Sequence, residues 1–249
     1  MLRETTVFGP IFSRRLGSSL GINLLPQEGK ICNFDCVYCE CGWNKDGRGD
    51  TALPSARDVE VALEEKLKAC KAAGTPIDSI TFSGDGEPTL NPEFPQIIDI
   101  TLALRDKYYP SARVSVLSNA TRAGKEEVFQ ALRKVDNAIL KIDAPTDELA
   151  ALVNRPAPGY HLADVVKALK RFQGQFVLQT MFLKGPGWAT EEWVSAWMDI
   201  VREVHPKEVM VYTIDRETPM KELAKYTVEE MRTLVQPLIE EGYQIQIKG

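Results

Sequence analysis

Long apolar runs are missing from this sequence, and so is any surplus of positive charge. No stretch of about eighteen apolar residues occurs, so no membrane-crossing helix is expected. The 30 Lys and Arg are outnumbered by 35 Asp and Glu, giving a net charge of −5. A broad basic face for non-specific nucleic-acid binding is therefore not expected. Histidine occurs only twice, as His161 and His205, which leaves a histidine-based metal site short of ligands. Cysteine is sparse as well: there are five, and none precedes Cys32. An odd count in a chain of 249 residues, long enough to bury a core without staples, argues against a disulfide framework and for a reducing compartment. The opening MLRETTVFGP holds no apolar core of signal-peptide length. The expectation is a cytoplasmic protein.

Against that scarcity, three of the five cysteines fall within eight residues. Cys32, Cys36 and Cys39 are spaced C-x3-C-x2-C. Packing seldom needs thiols this close, so the trio reads as a metal or cluster ligand set. Four thiolates close a structural zinc site or a fully ligated cluster, whereas three leave one iron of a [4Fe–4S] cluster open to a small molecule. Zinc sets usually come as two pairs, and no second pair exists here. Cys41 is separated from Cys39 by one residue and reads as a nearby thiol rather than a fourth ligand. Cys70 falls on an apolar helical stripe and reads as a small buried hydrophobe.

The remainder of the chain alternates between short apolar runs and helical periodicity. Strands are expected over 21–25, 77–83, 113–118, 138–142, 176–183 and 208–214, with a small closing strand over 243–247. Helices are expected from about Ser55 to Cys70, 93–108, 125–134, 146–153, 162–172, 193–204 and 228–239. Six strand–helix units in strict order predict right-handed crossovers and a parallel sheet. The expected fold class is α/β, a partial (β/α)6 TIM-like barrel with parallel strands, in a single domain spanning 1–249. A flat doubly wound sheet is the alternative. In either, a site collects at the carboxyl ends of the strands. Those ends carry the cysteines, Gly84-Asp85-Gly86-Glu87-Pro88, Ser118-Asn119, Asp143, the Lys184 turn and Asp215-Arg216.

The small residues Gly84 and Gly86 let backbone carbonyls approach a ligand, and Glu87 offers a charge-matched acceptor. Read blandly, the same stretch is a Gly/Asp turn. Ser118-Asn119 serves equally as a cap, and Asp143 as a satisfied strand-end residue. One of Gln179 and Thr180 must face inward, because strand side chains alternate. Lys184 could meet a carboxylate or stand in solvent. Arg14, Arg15, Arg155 and Arg216 would suit an anionic substrate if clustered, and are surface charges otherwise. Trp193 and Trp197 share a helical stripe and read as core.

The cysteine spacing, with Tyr38 just before the last cysteine, resembles the signature of the radical S-adenosylmethionine superfamily. Phe8-Gly9-Pro10, Ser13 to Gly17, SGDGEPTL, KIDAP, Asn154-Arg155-Pro156, QTMFLKG and Asp215-Arg216 are similar to one branch of it, the iron–sulfur oxidoreductases grouped with the wyosine-base synthases of tRNA. The resemblance implies that Cys32, Cys36 and Cys39 bind three irons of a [4Fe–4S] cluster and that S-adenosyl-L-methionine chelates the fourth. It further implies reductive cleavage to methionine and a 5′-deoxyadenosyl radical, which abstracts a substrate hydrogen. Tyr38, Gly84, Gly86, Glu87, Ser118 and Asn119 fall where the superfamily binds the cofactor, and Asp143, at a strand end of the same mouth, is expected to bind cofactor hydroxyls or substrate. A low-potential donor, flavodoxin or ferredoxin, is implied as partner. Wyosine synthases carry further cysteines upstream for a second cluster, and this chain has none before Cys32, so their substrate is not carried over. The expected substrate is a small molecule or peptide. The alternatives are a tRNA-modifying radical enzyme and a non-catalytic zinc or thiol protein.

Overall fold

A computed structural model describes residues 5–13, 16–46, 49–185 and 190–249. The chain divides into two compact units. The first comprises residues 1–32, 44–118 and 125–138, and the second 33–43, 119–124 and 139–249.

In the first unit, β1 (Val7–Ser13) and β2 (Gly17–Ile22) form an antiparallel hairpin, interrupted by an irregularity between Phe8 and Ile11. From β2 onward the pairing is parallel, to β3 (Ser79–Phe82) and then β4 (Arg113–Ser118). Helix α1 (Ala56–Ala72) starts at Ser55, whose hydroxyl accepts from the Asp58 amide while the Asp58 carboxylate accepts from the Ser55 amide. Such a reciprocal cap satisfies two otherwise orphaned donors and is worth about 1 kcal/mol. Val59, Leu63, Leu67 and Cys70 recur along one face of α1 and are buried. Each large aliphatic on that stripe stabilises the unit by about 1.5–3 kcal/mol. Helix α2 (Phe94–Tyr108) follows, and Phe94 meets Phe82 of β3 edge-to-face at 6.2 Å. Helix α3 (Glu126–Lys134) closes this unit.

The second unit takes over within β5 (Asn137–Lys141). It pairs in parallel with β6 (Val177–Met181), then β8 (Glu208–Tyr212), then β10 (Ile245–Lys248). Two residues of β7 (Leu183–Lys184) pair antiparallel with two of β9 (Ala224–Lys225). The helices are α4 (Asp147–Val153), α5 (Leu162–Lys170), α6 (Glu191–Val204) and α7 (Val228–Glu240). Trp197 is fully buried and stacks on Trp193, and Phe182 meets both rings edge-on, so the tryptophan stripe is core.

Every strand expected from the sequence is present within two or three residues at each end, except that the first one begins earlier, at Gly17. The strand β1 and the β7–β9 pair are additions. Among the described residues, no helix is long and apolar enough to cross a membrane.

Candidate active site

In the first unit the chain leading into Cys32 is clamped to the Gly84–Pro88 loop through its backbone. The Ile31 amide donates to the Asp85 carbonyl at 3.1 Å, and the Glu87 amide donates to the Ile31 carbonyl at 3.0 Å. This makes a one-residue parallel bridge between Ile31 and Gly86. A Cβ on Gly86 would lie 1.9 Å from the Ile31 oxygen, and φ there is +140°. Both facts demand glycine. Gly84 is as tightly held, because a Cβ would stand 2.2 Å from Oδ1 of the buried Asn23. Asn23 in turn donates through Nδ2 to Asp85 at 3.2 Å. On the other side of Cys32, Asn44 donates to the Cys32 carbonyl at 3.1 Å. Glu87 is buried, with Oε1 accepting from the Thr89 amide (3.1 Å), the Thr89 hydroxyl (2.6 Å) and the Ser118 hydroxyl (2.8 Å). Two residues from separate strand ends, Glu87 and Ser118, are thus joined.

In the second unit the cysteine loop is held by both backbone and side chains. The Asp35 amide donates to the Asn154 carbonyl at 2.8 Å, and the Val37 amide to the Val153 carbonyl at 3.0 Å. The Cys39 amide closes a turn onto the Cys36 carbonyl at 3.1 Å. Val37 and Tyr38 then sink into a cluster with Val153, Met181 and Leu183. The Tyr38 hydroxyl donates to Asp143 Oδ2. Asn154 Nδ2 donates to the same oxygen at 2.7 Å and lies 3.4 Å from Cys36 Sγ. Asp143 Oδ1 accepts from the Met181 amide at 2.8 Å and stands 3.2 Å from Lys141 Nζ. The Lys141 ammonium also donates to the Tyr212 hydroxyl and sits over the rings of Tyr38 (5.0 Å) and Tyr212 (4.7 Å).

This is a buried ion pair walled by aromatics, and it governs the charges around it. Burial alone would lower the Lys141 pKa, but Asp143 together with Tyr212 and Cys36 more than offsets it, so the ammonium is held protonated well past its usual range. Burial, reinforced by Asp143, pushes the Cys36 thiol up to about 11 and the Tyr38 phenol well above its usual value.

Asn119 belongs to a second polar knot in this unit. Its Nδ2 donates to Asn33 Oδ1 at 2.7 Å, its Oδ1 accepts from the Thr121 amide and hydroxyl at 3.1 and 2.7 Å, and Asn33 donates to the Thr121 hydroxyl at 2.7 Å. The side chains of the remaining candidates make other contacts. Lys184 pairs with Glu230 at 2.6 Å, and Arg216 with Glu40 at 2.7 Å. Arg155 lies over the Trp43 ring at 4.6 Å. Cys41 is half-buried, and Cys70 is buried on α1. Arg14 and Arg15 lie outside the described residues. Asn154, Lys141, Tyr212 and Asn33 were not singled out as site residues from the sequence. Asn154 and Lys141 lay inside the Asn154-Arg155-Pro156 and KIDAP stretches, so family resemblance was the available signal.

Among the described residues, no group of three or more His, Cys, Asp or Glu is drawn together as around a single metal ion. A cluster places each ligating thiolate on its own iron, so its ligands need not converge on one point. Two groups favour a thiolate at Cys36, the Asn154 amide N–H within reach of the sulfur and the Lys141 charge, against burial and the Asp143 charge, which oppose it. Hydrogen bonds to ligating sulfur are among the levers that tune such clusters.

Residues 29–196 match the profile of the Radical SAM superfamily, and the chain belongs to that superfamily. It is 30% identical over 227 residues to a UPF0026 protein of Helicobacter pylori, covering 86% of this chain and 68% of that one. It is also 30% identical over 234 residues to a protein of Brachyspira hyodysenteriae named GTPase Obg, covering 92% of this chain but only 33% of the relative. The chain thus spans a third of one of these relatives and about two thirds of the other. Among solved structures, SuiB of Streptococcus suis with bound S-adenosylmethionine superposes at a TM-score of 0.66 and 16% identity, over 92% of this chain and 50% of SuiB. SuiB is also known with its precursor peptide SuiA. TYW1 with a lysine–pyruvate adduct superposes at 0.65 and 12% identity, over 92% of this chain and 76% of that one. At these identities the likeness is one of fold. The fold class is α/β with mostly parallel strands, the partial TIM-like barrel of radical SAM enzymes.

Proposed function

We propose that Cys32, Cys36 and Cys39 bind three irons of one [4Fe–4S] cluster, with S-adenosyl-L-methionine at the fourth, in a chain that works as a single domain over 1–249. The single observation that carries this reading is the C-x3-C-x2-C loop lying inside the 168-residue match to the superfamily, from 29 to 196. When bound, cluster and cofactor supply one-electron cleavage to methionine and a 5′-deoxyadenosyl radical that takes a substrate hydrogen. The chain's own contribution is placement and electrostatics. Tyr38, Gly84, Gly86, Glu87, Ser118, Asn119 and Asp143 are the cofactor-binding residues of this reading. Asn154 donates toward Cys36, and Asp143 keeps Tyr38, Asn154 and Lys141 in one fixed arrangement. The Ile31–Gly86 bridge fixes the direction in which the chain enters Cys32.

The substrate in this reading is a small molecule or a peptide, and a peptide is favoured by the SuiB complex with SuiA. A second reading, modification of a tRNA base, draws on the likeness to TYW1. Comparing the modified nucleosides of tRNA from a deletion strain separates the two, since an unchanged profile removes the tRNA reading. A flavodoxin or ferredoxin supplies the electron, in the reducing cytoplasm. The proposal is tested by electron paramagnetic resonance of the anaerobically reconstituted, reduced protein. The cluster signal is expected to change on adding S-adenosylmethionine, to vanish in Cys36→Ala and to survive in Cys41→Ala. A signal indifferent to S-adenosylmethionine would refute an open iron.

A further inference from the structure

One buried polar group in the second unit has no use in the networks described above. Gln179 lies in the middle of β6 and is 5% exposed, yet its Nε2 has no hydrogen-bond partner. Leaving such a donor unpaired costs about 1–3 kcal/mol. Its direction follows from its neighbours. Thr180 donates to the Ile142 carbonyl and accepts from the Trp197 indole of α6, so Thr180 faces the helices. Strand side chains alternate, and Gln179 therefore lies on the opposite face. Across the ladder Gln179 is in register with Lys141 on β5 and Met210 on β8, and Met181 is in register with Tyr212. The Lys141–Tyr212 hydrogen bond crosses β6 on this same face.

The charge on this face is already balanced. The partly exposed Lys141 is paired with the buried Asp143 at 3.2 Å, so the two charges already have each other as partners. The group that satisfies Gln179 is therefore an uncharged acceptor. We propose that Gln179 is a specificity residue that donates from Nε2 to a neutral carbonyl or ring-nitrogen acceptor of a bound molecule, an amide or a nucleobase, on the β5–β6–β8 face. This deepens the reading above and rests on it for the identity of the bound molecule. The acceptor has two possible sources, the adenine of S-adenosylmethionine or a carbonyl of the substrate.

The test uses cluster-loaded protein and the variant Gln179→Met, which keeps the bulk and removes the donor, with Gln179→Leu as a second apolar replacement. Equilibrium dialysis gives the S-adenosylmethionine affinity. Melting of S-adenosylmethionine-saturated protein is followed with added N-methylacetamide and, separately, acetate. If the cofactor supplies the acceptor, both variants lose about tenfold in S-adenosylmethionine affinity. If the substrate supplies it, cofactor affinity is unchanged, and N-methylacetamide raises the melting temperature of wild type relative to both variants. Wild type and variants alike in both arms would overturn the proposal, as would a response to acetate exceeding that to the amide. Protein that bound no S-adenosylmethionine would fail the radical SAM reading instead, and the amide arm, run without cofactor, would still decide the role of Gln179.

Discussion

The two units hold their candidate residues by different means. In the first, the approach to Cys32 is fixed by two backbone hydrogen bonds and by glycines that admit no Cβ. In the second, backbone hydrogen bonds hold the loop around Cys36 and Tyr38, and side chains converging on one carboxylate, Asp143, are added to them. Backbone clamps are all-or-none, because a single added carbon collides with a carbonyl. Side-chain networks are graded, because each partner can be removed singly. The first arrangement suits a position that must never vary, and the second suits one whose electrostatics can be tuned.

That contrast breaks most sharply at Gly86. Gly86→Ala places a methyl within 1.9 Å of the Ile31 oxygen at a φ closed to L-residues, and is expected to cost about 5 kcal/mol. At about 2–4 °C per kcal/mol for a chain of this size, melting should fall by about 10–20 °C, read by circular dichroism. Asp143→Ala comes next, at about 3–4 kcal/mol, because it leaves a buried ammonium unpaired and orphans Tyr38 and Asn154. Urea unfolding should give that loss, and a loss under about 1 kcal/mol would show that the network is not load-sharing.

Asn154→Ala sharpens the comparison further. It removes the donor to Cys36 and one to Asp143, at about 2 kcal/mol. In the cluster-loaded protein the reduction potential should move to more negative values, because a hydrogen bond to the ligating sulfur is gone, while iron content stays unchanged. A potentiometric titration checks the direction.

The smallest effect lies at the surface. Glu230 has its pKa lowered from 4.5 to about 2, first by its hydrogen bond to Lys184 and next by the Thr227 amide. A depressed folded value means that the stabilisation is full above pH 4.5 and is lost as pH falls from there through about 2. Glu230→Gln should flatten the acid limb of the melting curve in that window without changing stability near pH 7 by more than a surface pair is worth.

How much of this was legible beforehand depended on the kind of signal. The long amphipathic helices and buried parallel strands were legible, since Val59, Leu63 and Leu67 repeat at helical spacing and the Ser55 cap announces its helix. The hairpin strand β1 was not, because Gly9-Pro10 reads as a turn; here the peptide bond between them is cis and Phe8 covers Gly21 across the pair. The β7–β9 pair is two residues long, too short for any period. In the site, cysteine spacing and glycine clustering were visible because few other uses exist for them. Asn154, Lys141 and Gln179 carry no such signal, although strand alternation alone puts one of Gln179 and Thr180 on the inward face. A buried amide or ammonium looks like any polar residue until its neighbours are known.

The central claim is that three cysteines hold a cluster with an open iron. Its most direct measurement is iron, sulfide and 5′-deoxyadenosine on anaerobically purified protein given S-adenosylmethionine and a low-potential reductant. The account predicts brown protein with about four irons and four sulfides per chain, as one [4Fe–4S] cluster requires, releasing 5′-deoxyadenosine only when reduced. Colourless protein holding zinc, or a loaded cluster that never cleaves S-adenosylmethionine, would contradict it.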